Sequence, residues 1–246
     1  MNLIRKLVST GIVITLMPIT LVWSTPGIAA ETMHETRALS GPVTSVRLIG
    51  PIDIAISQGE TRGVQIDGTA DELAKIKLEL SGGELAVRYE QGVTSWVSFG
   101  SQRPPRATLA RADLRKVAVV GSGDVSVSPF NLNEGKLEIE VTGSGDVNLS
   151  SLKAKSLSVS IRGSGDVAAS GLVGNQEIAI AGSGDYGGND LQSQTAAISI
   201  KGSGDAKVWA TDTLAVSIAG SGDVAFRGQP KLSQSIAGSG EVHQVR

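Results

Sequence analysis

The amino-acid sequence predicts an all-β protein built largely as a parallel β-solenoid, and three observations carry that prediction. A four-residue motif, Gly-Ser-Gly-Asp, stands at 121–124, 143–146, 163–166, 182–185, 202–205 and 220–223, with Gly-Ser-Gly-Glu at 238–241. The steps between copies are 22, 20, 19, 20, 18 and 18 residues, and a near-fixed period of this size marks a repeat architecture. Ahead of each motif apolar and polar residues alternate, as in Leu157, Val159 and Ile161 or Leu214, Val216 and Ile218. Period two is the pattern of a strand with one buried face. Gly supplies 31 of the 246 residues while aromatics make up 3%, which suits turns and stacked aliphatic side chains better than an aromatic globular core.

Residues 1–30 read as a secretory leader. Arg5 and Lys6 precede an apolar stretch from Leu7 to Trp23, and the small residues Gly27, Ala29 and Ala30 follow as a cleavage site. A retained membrane anchor is the rival reading, but Ser9, Thr10, Gly11, Thr15 and Pro18 interrupt the stretch, which falls short of the ~20 apolar residues a span needs. Nothing after Trp23 resembles a second span. The mature chain is therefore expected in a periplasm or outside the cell.

The chain has no cysteine, so packing and backbone pairing must hold it without disulfides. Removing Arg5 and Lys6 from the 22 basic residues leaves the 24 acidic residues in excess by four. That balance argues against nucleic acid or an anionic membrane as the partner.

A linker is expected at 31–42, followed by a single domain over 43–246. Its first part, 43–116, lacks the motif but is strand-like at Val46 and Leu48, at Ile52, Ile54 and Ile56, and at Val64 and Ile66. Thr69 and Glu72 have capping-box spacing, which opens a short helical turn. Ile76, Leu78 and Leu80 face Leu85, Val87 and Tyr89 across Gly82-Gly83, the pattern of a hairpin. This part is read as irregular strands that cap the N-terminal end of the stack.

From 117 to 246 each of about seven coils is a longer strand, a Gly-rich corner, a short strand and a return loop. Units of this size cannot bury their own apolar face, so they stack at ~4.8 Å into a continuous aliphatic core. The corner glycines are expected to permit positive φ and to let successive backbones lie close together. Tyr186 and Trp209 are read as packing variants of the aliphatic ladder.

Two further segments bear on the comparison with known sequences, Gly50-Pro-Ile-Asp-Ile-Ala-Ile-Ser-Gln-Gly59 and Gly83-Glu-Leu-Ala-Val87. With the Gly-Ser-Gly-Asp ladder, they make the sequence from about Val43 to Val242 resemble the autotransporter-adhesin head GIN domain family of bacterial exported proteins. The resemblance implies a solenoid-like fold and an envelope or surface setting. Adhesion is suggested by the family's name, and no catalytic residues carry over.

Stacking in register would set Asp124, Asp146, Asp166, Asp185, Asp205, Asp223 and Glu241 in one column of carboxylates, each repelling its neighbour by roughly 1 kcal/mol in water. Two readings offset that repulsion. Either each carboxylate accepts backbone N–H groups of its own or the adjacent corner, or a row of Ca²⁺ ions bridges successive corners. One carboxylate per corner is few ligands for Ca²⁺, which favours the first. The corner serines are expected to satisfy turn backbone, and none has a distinct base that would make it a nucleophile.

An irregular segment, Val93 to Arg106, holds Trp96, Phe99, Arg103 and Arg106, a composition of interface anchors, although apolar aromatics more often plug a core. The only histidines are His34 and His243, near the chain ends. The reading that follows is a non-catalytic envelope or surface module, adhesin-like, without a required cofactor, that meets protein or glycan partners and is compatible with oligomers. A secreted carbohydrate-active β-helix enzyme and a calcium-stabilised scaffold are the alternatives.

Overall fold

In a computed structural model the described residues are 32–90, 104–111, 113–132 and 135–245. The predicted leader, Trp96, Phe99 and Arg103 lie outside them. The segment 31–42, expected as a linker, instead carries a strand, β1 (Met33–Ala38), whose alternate residues are half-buried, and the strands of the irregular part follow as β2 (Ser45–Ile49), β3 (Asp53–Ser57) and β4 (Gly63–Gly68). The helix α1 (Ala70–Lys75) precedes β5 (Ile76–Ser81), β6 (Glu84–Tyr89) and β7 (Arg106–Ala110). Thr69 and Glu72 form the expected capping box at α1. At its other end the Arg37 guanidinium donates to the carbonyls of Leu73 and Ile76. β5 and β6 pair antiparallel, Ile76 opposite Tyr89 through Ser81 opposite Glu84, as the Gly82-Gly83 hairpin requires.

The regular part follows as β8 (Lys116–Gly121), β9 (Val125–Val127), β10 (Phe130–Asn131) and β11 (Lys136–Gly143). It continues through β12 (Val147–Gly163), β13 (Val167–Gly182), β14 (Tyr186–Gly202), β15 (Ala206–Gly220), β16 (Val224–Arg227), β17 (Lys231–Gly238) and β18 (Val242–Gln244). Pairing along this series is parallel throughout. The seven corners bound about six full turns, one fewer than the count of corners predicts, because the last corner closes the stack. β12 to β14 each leave one corner and run to the next, with register irregularities at a second bend. That bend uses Ser151 at φ 55° and Gly171 at φ 129°.

The order of layers is not the order of the chain. β2 lies between β6 and β8, and β3 between β7 and β9. The first coil laid down by the sequence is thus the second in the stack, and β6 and β7 form the layer outside it. Their outer edges are covered by antiparallel strands, β5 on β6 and β4 on β7, with β1 antiparallel on β4. This is the N-terminal cap.

The core is a set of aliphatic columns. Val87, Leu48, Val119, Val141, Ile161, Ile180, Ile200 and Ile218 stand in register through eight layers, each no more than 2% exposed. Full burial of each such side chain is worth ~1.5–3 kcal/mol, so the column is a main source of stability. The ninth member, Ile236 on β17, is 38% exposed.

The two corner glycines share one task and differ in another. In the corner at 163–166 only the first, Gly163, has positive φ, at 129°. A Cβ at Gly163 would lie 2.3 Å from the carbonyl oxygen of Gly143 in the preceding coil, and one at Gly165 would lie 2.2 Å from that of Gly145. Both glycines admit the neighbouring backbone, and the first also turns the chain.

Tyr186 is buried, as a packing variant should be, and its hydroxyl donates to Gln176 Oε1 at 2.9 Å. Gln176 Nε2 donates in turn to Ser193 Oγ at 2.8 Å, so this polar group inside the core is satisfied. Burial pushes the phenol of Tyr186 far above its ordinary value. Trp209 differs from the expectation. It aligns with Gln192 and Arg227, is only half-buried, and has the Arg227 guanidinium 5.1 Å from its ring centroid. It belongs to the outer side of the wall because its neighbours Val208 and Ala210 take the inward positions.

Candidate functional site

The corners stack so that Gly121, Gly143, Gly163, Gly182, Gly202, Gly220 and Gly238 follow one another in register. In the first five corners the Ser is exposed, the second Gly is buried and the acidic residue is exposed, while Asp223 and Gly240 of the last two corners are half-buried. The backbone N–H groups of Ser144 and Gly145 both point to the Gly121 carbonyl, at 2.9 and 3.1 Å; the corners at 163, 182 and 202 repeat the arrangement, and Ser221 and Ser239 keep the serine bond in the last two. The serine contributes its N–H to the corner while its side chain faces outward.

This stacking brings the seven predicted acidic residues into one column and gives the six aspartate carboxylates a definite partner each. Asp124 Oδ1 accepts the N–H of Asp146 at 3.0 Å, Asp146 that of Asp166 at 2.9 Å, and Asp166 that of Asp185 at 2.8 Å. Asp185, Asp205 and Asp223 accept the N–H of Asp205, Asp223 and Glu241 at 2.7, 2.8 and 2.8 Å. In the opposite direction the Asp146 carbonyl accepts from Val125 and the Asp166 carbonyl from Val147, at 2.8 and 2.9 Å. Charge-assisted bonds to N–H dipoles stabilise the ionised form, which offsets the repulsion along the column.

The column has a further member that the repeat did not reveal. Asp53 Oδ1 accepts the N–H of Asp124 at 3.0 Å. It occupies the acidic position of a degenerate corner, Gly50-Pro51-Ile52-Asp53, in which the Ser and the second Gly are replaced. The signal available in the sequence was the retained spacing of Gly50 and Asp53, followed by the inward pair Ile54 and Ile56. Burial raises the Asp53 carboxyl above its ordinary value, and the nearby Asp124 carboxylate acts in the same direction. The Asp124 N–H and the Arg106 guanidinium oppose that shift.

Beside this end of the column lies an open groove of about 360 Å³, lined by Asp53, Arg106, Asp124, Ser126, Asp146, Asn148 and Asp166 among others. Arg106 is the register partner of Asp53 on the adjacent strand. Of the four residues predicted for the irregular segment, Arg106 is thus brought to the carboxylate ladder. Among the described residues no group of three or more His, Cys, Asp or Glu side chains is disposed to hold a metal ion. None of the helices among them is long and apolar enough to cross a membrane.

Residues 43–230 match the family described as "putative auto-transporter adhesin, head GIN domain". Solved structures share the fold. A "putative adhesin" from Bacteroides fragilis is 22% identical, with a TM-score of 0.80 over 88% of this chain and 98% of the other. A "putative lipid binding protein" from Parabacteroides distasonis is 24% identical, with a TM-score of 0.66 over 87% of this chain and 97% of the other. A "putative adhesin" from the same species is 20% identical, with a TM-score of 0.68 over 88% and 98%. No curated protein matches the chain.

Proposed function

Because the chain belongs to the auto-transporter adhesin head GIN domain family, we propose that it is an exported, non-catalytic module of the cell envelope or surface. In this reading it binds protein or glycan components through the outer side of the long strands that precede each corner. The observation that supports the choice of surface is the run of small side chains there. Ser158 and Ser160, Ala179, Ala197 and Ser199, Ala215 and Ser217, and Ser233 and Ser235 point outward on five consecutive layers, with Glu177 the one charge among these ten positions, before the columns turn charged at Glu138 and Glu140. At ~4.8 Å per layer they make a flat patch roughly 20 Å long. Small side chains lose little rotamer freedom on contact, and a parallel stack holds them without adjustment, so an extended partner meets a preorganised surface.

The test is retention of protein-coated beads on bacterial and epithelial cell surfaces. The wild type is compared with the triple variant Ser160→Arg, Ser199→Arg, Ser217→Arg, whose substitutions all sit on the outer side of the wall. Retention lost in the triple variant at an unchanged melting temperature is the expected result. Equal retention would remove this surface from the reading, and no retention by the wild type on any surface would remove adhesion itself.

A further inference from the structure

The two ends of the stack are finished differently. At the N-terminal end the outermost parallel strands, β6 and β7, are covered by antiparallel strands, and the covering strands β5 and β1 carry Lys77, Glu79, Glu35 and Arg37. At the C-terminal end β17 pairs, among the described residues, only with β15, and every residue of it is exposed. Edge strands are ordinarily protected by a charge, a proline or a bulge. β17 has none of these between Leu232 and Ala237, and its register with β15 is unbroken. Leu232 and Ile236 are each 38% exposed although they continue the core columns of Leu214 and Ile218.

Between them stands Gln234. Its column is aliphatic from Ile139 through Val159, Ile178, Ile198 and Val216, and turns polar only in this last layer. The charges flanking the uncharged strand have opposite signs, Lys231 at its start and Glu241 at the corner beyond its end.

The geometry points to a second copy of this chain as the occupant of that edge, paired antiparallel, β17 to β17, about a two-fold axis. A head-to-tail stack of two copies is closed off by the antiparallel cap, whereas a tail-to-tail contact continues the core and closes as a dimer. An antiparallel register centred on Gln234 sets Leu232 of one copy opposite Ile236 of the other. The aliphatic columns then run through the junction without a gap. The same register brings the two Gln234 amides together, each able to donate to and accept from its mate. It also carries the Lys231 of each copy to the end of the strand where the other has its Glu241 corner. A polar pair inside an apolar seam fixes register. This assignment is independent of the flat outer surface proposed above.

The experiment is sedimentation equilibrium of the purified protein from about 1 to 100 µM at pH 7.5, with Gln234→Glu and Ile236→Lys beside the wild type. Both positions are exposed in the single copy, and circular dichroism checks that both variants remain folded. A wild-type dimer whose dissociation constant rises at least ~30-fold in both variants is expected. In Gln234→Glu alone the dimer should return below about pH 4.5, as the facing carboxylates take up a proton. A wild type that is monomeric at every concentration overturns the inference, since the edge would then serve another occupant. A dimer indifferent to both substitutions overturns it as well, because the junction would lie elsewhere.

Discussion

The carboxylate of Asp166 accepts the backbone N–H of Asp185, one coil away, at 2.8 Å. The bond joins residues 19 apart in the chain and repeats, with small changes of length, from Asp53 to Glu241. It makes the acidic residue of each corner but the last a clasp on the next turn.

Removing one clasp from the middle of the column leaves the Asp185 N–H without its acceptor. Asp166→Ala is expected to lower unfolding free energy by ~1–3 kcal/mol. Asp166→Asn, which keeps an acceptor oxygen in place, should lose clearly less. Urea denaturation of both variants measures this, and an unchanged midpoint in Asp166→Ala would refute the role.

The two corner glycines should fail to different extents. Gly163→Ala strains a backbone held at φ 129° and also drives a Cβ against the Gly143 carbonyl, whereas Gly165→Ala meets only the second problem, against the Gly145 carbonyl. Each is expected to cost ~3 kcal/mol or more, at the upper end for overpacked sites, with Gly163→Ala the larger loss. Urea denaturation of the two variants measures this. A Gly163→Ala that loses no more than Gly165→Ala would contradict the added task of the first glycine.

Asp53 predicts a pH effect with a definite sign. Its folded pKa is raised, so the folded chain holds a proton more readily than the unfolded one. The stability this supplies is complete below the ordinary carboxylate pKa, near ~3.9, and is lost as pH rises through the raised value. Asp53→Asn keeps an acceptor for the Asp124 N–H and removes the partly buried charge. Its melting temperature should exceed that of the wild type at pH 7, with the difference closing toward about pH 3. A constant difference across that range would show that charge is not the cause.

Calcium supplies a separate test of the column. One oxygen of each carboxylate from Asp53 to Asp223 is already engaged by an N–H group, so millimolar Ca²⁺ should move the melting temperature of EDTA-treated protein by less than about 1 °C and give no saturable heat on titration. Saturable binding with a raised midpoint would make the ladder a row of cation sites.

The regular part of the fold was legible because the motif and the period-two pattern both recur, and each copy corrects the reading of the others. Val159 and Ile178 announce the same inward position one coil apart, and the structure sets them in register. Asp53 was not legible as a ladder residue because Pro51 and Ile52 stand where the motif has Ser and Gly, so its corner shares only two of four positions with the rest. The interposed place of β2 was hidden for a different reason. Alternation marks Val46 and Leu48 as inward but carries no information about which strand lies above and which below. Trp209 was misjudged because an aromatic residue in a strand was counted as apolar, whereas its parity, one step from Val208, places it on the outer side.

That interposed layer has a kinetic consequence. Each regular coil finds its neighbour about 20 residues along the chain, and such local pairing proceeds quickly once one turn has formed. β2 must wait for β8, Val46 meeting Val117, and for the hairpin strand β6 that follows it. Ordering therefore begins among the repeats and spreads outward, and the amino-terminal coil is inserted late, although it is the first part of the domain to be synthesised.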